Sequence, residues 1–269
     1  MMKFEQVERK IVQPPAAHNV ARLLDPDSRE RTVVNIARFA VSIPAFNYLP
    51  ALSVIKDRVA MGLNLETGIK TVQKCGAPGG RENNEALVRA FFDHDATRKY
   101  SEARAVENFP GQFRISRDIS VPTKATFTVL ENEKQVPVVI CGWKRFPLAP
   151  QQIRAWLSML NDGLFSVTDY IHSPWEVVVY AKEDQSDSDG RVPHIIRPGD
   201  YPLFNQRELR ELAAMYSQAQ KEAMPIAREL WQRREERRKE KSVDQPSVNT
   251  PHYDDGSQTE MFAIGETDS

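Results

Sequence analysis

The run VPVVICGW, Val136 to Trp143, is continuously apolar and rich in β-branched residues, the pattern of a strand covered on both faces. It is predicted to lie at the centre of its sheet. Just upstream, Ala125, Phe127 and Val129 alternate with polar neighbours as a half-buried strand does, and ENEK (Glu131 to Lys134) supplies the turn that pairs the two as a hairpin. Phe113 and Ile115 begin the same alternation from Gln112 onward. Downstream, Pro147 and Pro150 break the pattern, after which Ile153, Trp156, Leu157, Leu160 and Leu164 recur at helical spacing on one face. WEVVVYA, Trp175 to Ala181, is a further strand. The segments DQSDSDGR (Asp184 to Arg191) and RPGDYP (Arg197 to Pro202) read as loop and turn.

Helical periods flank this β-rich middle. Val33, Ile36, Ala37 and Ala40 follow DPDS (Asp25 to Ser28), which offers turn chemistry and an N-cap, and Pro44 closes that helix. A second helix spans about Leu65 to Lys74 and ends at CGAPGG. A third spans about Asn83 to Tyr100, with Leu87, Ala90 and Phe91 as its apolar stripe. After the last strand, Leu209, Leu212, Ala213 and Tyr216 open a long helix in which Pro225 should introduce a kink or restart. Its end, RREERRKEK (Arg233 to Lys241), mixes both signs as a solvated helix face does.

The order of helices, antiparallel strands, helix, strand and helices predicts an α+β fold. The expected architecture is a helical N-terminal third, an antiparallel sheet with a packed helix, a long C-terminal helix and a disordered tail. The corresponding boundaries are a weakly structured stretch over 1–27, a single domain over 28–241, and an acidic tail over 242–269.

Composition sets the outer limits. A chain of 269 residues with 41% hydrophobic content can bury a substantial core. No stretch approaches the roughly 18 uninterrupted apolar residues of a membrane span, and MMKFEQVERKIVQPP carries charges where a signal peptide is apolar. A cytoplasmic location is expected. Cys75 and Cys141 stand apart and form no CxxC pair, so neither a disulfide framework nor a zinc knuckle is indicated. The net charge of −1 conceals an asymmetry: residues 242–269 hold Asp244, Asp254, Asp255, Glu260, Glu266 and Asp268 and no lysine or arginine, which leaves the body at about +5. That scattered excess predicts no strong direct DNA binding.

The body offers few chemical signatures. His94 lies between Asp93 and Asp95, but successive helical side chains diverge, and its distance from Leu87 places it on the apolar stripe as a core or boundary histidine. GAPGGR (Gly76 to Arg81) lacks the phosphate-loop pattern and does not follow a strand, so it reads as a plain loop. Trp143, Lys144 and Arg145 read as a core aromatic followed by solvated charges. No GxSxG nucleophile, metal-ligand spacing or cofactor loop is present. The body is therefore expected to be non-enzymatic, with no cofactor and no metal.

The tail departs from this pattern. From Ser242 the composition shifts to Ser, Thr, Asp, Gln, Pro and Gly, which buries too little apolar surface to offset its ordering entropy. Within it Met261, Phe262 and Ile264 form a tight apolar group, the mark of a short linear motif. QTEMF, with Gln258, Glu260, Met261 and Phe262, resembles the Gln-x-x-Leu/Met-Phe peptides that bind the bacterial β sliding clamp. QTEMFAIG is similar to the internal clamp motif QADMFGVL of the replicative DNA polymerase III α subunit. It departs from the stronger QL[SD]LF consensus at Thr259 and Met261. The eukaryotic clamp motif needs two further aromatics where this chain has Ile264 and Gly265.

A non-catalytic body ending in a copy of the polymerase's own motif resembles the SocB type of DNA replication inhibitor, the toxin of a toxin-antitoxin pair. That resemblance implies competition with the polymerase for the clamp, recruitment to the replisome, and a cognate antitoxin that acts as proteolytic adaptor to the ClpXP protease. The alternative is a clamp-tethered repair or defence nuclease with an unrecognised active site.

Overall fold

The computed structural model describes residues 3–44, 46–167, 170–182 and 190–243. Its residues divide into two compact units, Met1–Trp231 and Gln232–Ser269. In the first unit, β1 (Arg104–Val106), β4 (Phe127–Glu131), β5 (Lys134–Cys141), β6 (Glu176–Ala181) and β7 (Val192–Ile196) form a sheet in the order β1-β4-β5-β6-β7. A separate hairpin joins β2 (Gly111–Arg114) to β3 (Ser120–Thr123). The helices are α1 (Phe4–Val12), α2 (Ala17–Leu23), α3 (Arg29–Val41), α4 (Leu49–Met61), α5 (Leu65–Cys75), α6 (Arg81–Arg98), α7 (Pro150–Leu160) and α8 (Gln206–Val243). The fold is α+β.

VPVVICGW forms the body of β5, the middle strand. Its alternate residues feed two separate cores: Val136, Val138 and Ile140 join one, and Val139 and Cys141 join the other. The first core is closed by α4, α5 and α6, the second by α1, α2, α3, α7 and α8. Double-sided burial is what the unbroken apolar run encodes. Pro137 is accommodated because β4 accepts the strand before β6 joins it. Thr126 N donates to Val138 O, so alternation turns the backbone nitrogen of Pro137 away from β4, and pairing with β6 begins only at Val138.

The sheet is mixed, which corrects the antiparallel expectation. β5 and β6 run parallel, with Val138 opposite Glu176 and Cys141 opposite Val179, whereas the other three pairs of this sheet are antiparallel. The physical reason is the connection: a helix stands between β5 and β6, and a strand, helix, strand crossover returns the chain in the same direction. The hairpin at ENEK forms as expected, with Asn132 and Glu133 at φ 49° and 64°, the doubly left-handed pair of a type I′ turn.

The N-terminus also departs from expectation. Residues 1–27 were expected to be weakly structured, yet α1 and α2 occupy most of this stretch, and Val7, Ile11, Val20 and Ala21 are buried. Short helices of weak intrinsic propensity are held here by tertiary packing. Gln220 of α8 also donates to Ile11 O at 2.6 Å. Helix α4 was not anticipated either, although Pro50 near its start, Gly62 at φ +69° as its C-cap and the Ala51, Val54, Ile55, Val59 spacing are all sequence signals. The compact unit thus starts at Met1 and ends at Trp231 rather than spanning 28–241. In the second unit the described residues are helical to Val243. The expected disordered tail falls on residues outside those described, apart from its first two.

Among the described residues, no helix is long and apolar enough to cross a membrane.

Candidate functional sites

The residues singled out for clamp recognition, Gln258, Glu260, Met261, Phe262 and Ile264, lie outside the described residues. Gln258 follows the end of α8 by fifteen residues. Fifteen residues span at most ~50 Å of extended chain.

In the body, the chemistry gathers around three charged side chains that are buried among the described residues: Glu176, Asp95 and Arg191. Glu176 opens β6 and is only 5% exposed. Both of its oxygens accept from Arg98 Nε at 3.3 Å, Arg197 donates to Oε1, and the Tyr100 hydroxyl closes the set with a short hydrogen bond. Arg98 simultaneously forms a bidentate pair with Glu131 at 2.8 and 3.0 Å. Burial alone would lower the Arg98 pKa, but the Glu131 hydrogen bonds and the Glu176 charge hold it above its ordinary value. Burial and then the Glu176 charge push the Tyr100 phenol well up, so it remains a donor at neutral pH. Two cations face two carboxylates, and every charge is answered.

Asp95 is equally well matched. Arg58 Nε donates to it at 2.8 Å, and the amide and hydroxyl of Ser101 donate at 3.0 and 2.6 Å. These bonds tie α4 to the end of α6.

His94 lies between these groups, half-buried, with Nδ1 2.8 Å from the Tyr180 hydroxyl and its ring edge-on to Tyr100 and Tyr180. Its pKa is lowered, first by burial and against the pull of Glu176. It is a boundary histidine bonded to a tyrosine. Among the described residues, no three His, Cys, Asp or Glu side chains cluster as a metal site.

Arg191 differs from both acids. It is 7% exposed, and its acceptors among the described residues are neutral: Gly142 O at 2.6 Å, Tyr180 O at 3.2 Å, the Tyr48 hydroxyl at 3.1 Å and two oxygens of Asn83 at 3.3 Å. Its Nε has no acceptor. The guanidinium also stacks over Tyr48 at 5.3 Å. It borders a crevice of about 530 Å³ with Glu82, Arg89 and Asp93 of α6 on one wall and Lys144 and Lys182 on the other. Those lysines stand at the carboxyl ends of the parallel strands β5 and β6.

The other sequence candidates resolve as packing. Gly80 of GAPGGR lies against Phe46, where a Cβ would come within 2.4 Å of that side chain. Trp143 packs edge-on to His18 and tilted against Trp156, with Arg22 over its ring. Sequence reasoning missed Arg191, which it assigned to an exposed loop, and Glu176, whose partners come from three separate segments. No family model, curated protein or solved structure matches this chain.

Proposed function

We propose that this protein binds the bacterial β sliding clamp through Gln258 to Ile264 and competes there with the replicative polymerase, inhibiting elongation of DNA. The observation that carries the reading is QTEMF followed by Ala263 and Ile264, which matches the polymerase's internal motif at glutamine, acid, methionine and phenylalanine. Met261 and Phe262 enter the apolar cleft of the clamp, and the Gln258 amide hydrogen-bonds at its rim. Burying two such side chains contributes on the order of 3 to 6 kcal/mol before ordering costs, compatible with micromolar affinity.

The organisation of the body supports a tethered role for the motif. Among the described residues the buried hydrophobic core runs from Val7 to Ala227, a core of substantial size within the first compact unit. As a toxin of the SocB type, the protein has a second partner, an antitoxin that delivers it to the ClpXP protease.

The test is to titrate the purified protein and a Met261→Ala/Phe262→Ala form against the clamp, with a polymerase-motif peptide as competitor. Displacement of the wild type and loss of binding by the double variant are expected, together with relief of growth arrest on expression. Equal binding by both forms would sink the proposal. Clamp binding accompanied by metal-dependent DNA cleavage would instead favour a tethered nuclease.

A further inference from the structure

A groove of about 230 Å³ opens on the body where the residue after α2, the start of α7 and the first turns of α8 come together. Leu24, Ala155 and Leu212, each less than a tenth exposed, form its floor, and the half-buried side chains of Phe204 and Met215 form its sides. The backbone carbonyl at the floor is already answered, since Gln152 Nε2 donates to Leu24 O at 2.7 Å. A polar ligand group gains little there, whereas an apolar one is taken out of water. The volume is below that of a cofactor site and suits one apolar side chain.

The rim has a sign. Glu208, Glu211, Leu212 and Met215 stand at i, i+3, i+4 and i+7 on α8, so one face of the helix carries two acids beside two apolar residues. Leu209, Ala213 and Tyr216, on the adjoining stripe, are turned into the core, which holds this face toward the groove. The cations beside the two acids hold them loosely. Arg207 bonds Glu211 at 2.9 Å but is 88% exposed, a pair that solvent screens. Arg154 stays 3.8 Å from Glu208, with its guanidinium engaged by Pro202 O at 2.8 Å and by the face of Phe204. Both carboxylates therefore keep the capacity to accept from a further cation. An apolar seat with a methionine at its side and an acidic rim is the surface that receives a basic amphipathic helix.

We propose that this groove docks a basic amphipathic segment of a protein partner, with one apolar side chain seated against Leu24, Ala155 and Leu212 and a lysine or arginine over Glu208 and Glu211. The surface belongs to the body and is independent of the clamp motif, so failure of either reading leaves the other standing. The same two carboxylates disfavour nucleic acid and acidic peptides.

The experiment uses the full-length chain and, as probe, a synthetic peptide of leucine and lysine with its leucines at helical spacing; a second peptide carries glutamate in place of lysine. Methyl NMR of the methionines locates the binding, with the Met215 signal identified by its loss in Met215→Leu, and fluorescence anisotropy of the labelled peptide gives the affinity. The lysine peptide is expected to shift the Met215 methyl saturably while Met61, 72% exposed on α4, stays in place. The glutamate peptide should shift neither. Glu208→Gln/Glu211→Gln should weaken binding at least several-fold and flatten its salt dependence. Both substitutions are nearly isosteric, and glutamine at 208 can still accept from Asn205 N, so the start of α8 is kept. Equal affinity for wild type and the double variant, or movement of Met61 together with Met215, would mean non-specific adsorption and overturn the proposal. So would a Met215 signal that no peptide moves, or one that moves with protein concentration alone, which would assign the groove to a second copy of the chain.

Discussion

At the residue scale, the body is fastened by a few polar side chains whose removal has unequal consequences. Glu176→Ala leaves Arg98, Arg197 and the Tyr100 hydroxyl facing a vacated site, and breaking a buried pair from one side costs about 3 kcal/mol or more. Glu131→Ala, at the half-exposed end of the same network, should cost about 1 kcal/mol, because solvent replaces the lost partner. Urea denaturation of the two variants measures the difference. His18 gives the fold a pH dependence. Burial, and then the Arg22 charge, lower its pKa from 6.5 to about 4, so the unfolded chain takes up a proton that the folded chain refuses. Stability is unaffected by His18 above pH 6.5 and falls as the pH drops from 6.5 toward 4. His18 as a whole is only partly buried, which limits the loss to about 2 kcal/mol. Thermal melts across this range should slope less steeply for His18→Gln than for wild type; equal slopes would assign the acid sensitivity to other groups.

At the scale of elements, close approach and helix continuity make opposite demands. The π-helical turn Asn161–Phe165 that follows α7 presses Gly163 onto β2: a Cβ there would lie 2.6 Å from Phe113 N and 2.8 Å from Gln112 C, both rigid backbone atoms. Gly163→Ala should therefore cost about 2 kcal/mol through overpacking, measurable as a lower urea midpoint with an unchanged slope. Pro225 shows the reverse. The sequence predicts a kink or restart; no restart occurs, since α8 is a single helical element from Gln206 to Val243 with Pro225 inside it. Pro225 is exposed, so Pro225→Ala removes no buried side chain and restores a backbone donor. A gain of about 1 to 3 kcal/mol is expected, read as a higher Tm; a lower Tm would mean that the proline ring itself contributes to packing.

For the whole molecule, the separation between body and motif makes a clear expectation. Removing residues 244–269 should leave the body's Tm unchanged while abolishing clamp binding, since the composition from Ser242 onward offers little apolar surface to a core. A lower Tm would tie the tail to the body. The truncation also removes six acids and no lysine or arginine, so the remaining chain carries about +5. Its affinity for duplex DNA should stay weak because the cations are scattered. Fluorescence anisotropy at two salt concentrations checks this, and sub-micromolar, steeply salt-dependent binding would contradict it.

The sequence by itself determined the elements whose signal is local. VPVVICGW specified a strand buried on both faces, ENEK its hairpin, Ser28 the cap that accepts from Arg31 N, and the Ile153 to Leu164 stripe the helix that packs beneath the sheet. The QTEMF resemblance is equally local, because a linear motif acts without a fold. Tertiary structure decided what depends on residues far apart in the chain. The parallel register of β5 and β6 follows from the path through α7, and the order of α1 and α2 comes from burial against distant helices. Glu176 meets partners from α6, the Tyr100 turn and the segment after β7, and Arg191 is drawn inward by Tyr48, Asn83, Gly142 and Tyr180. Periodicity and turn chemistry act over a few residues. Pairing of buried charges is settled only when the chain closes on itself.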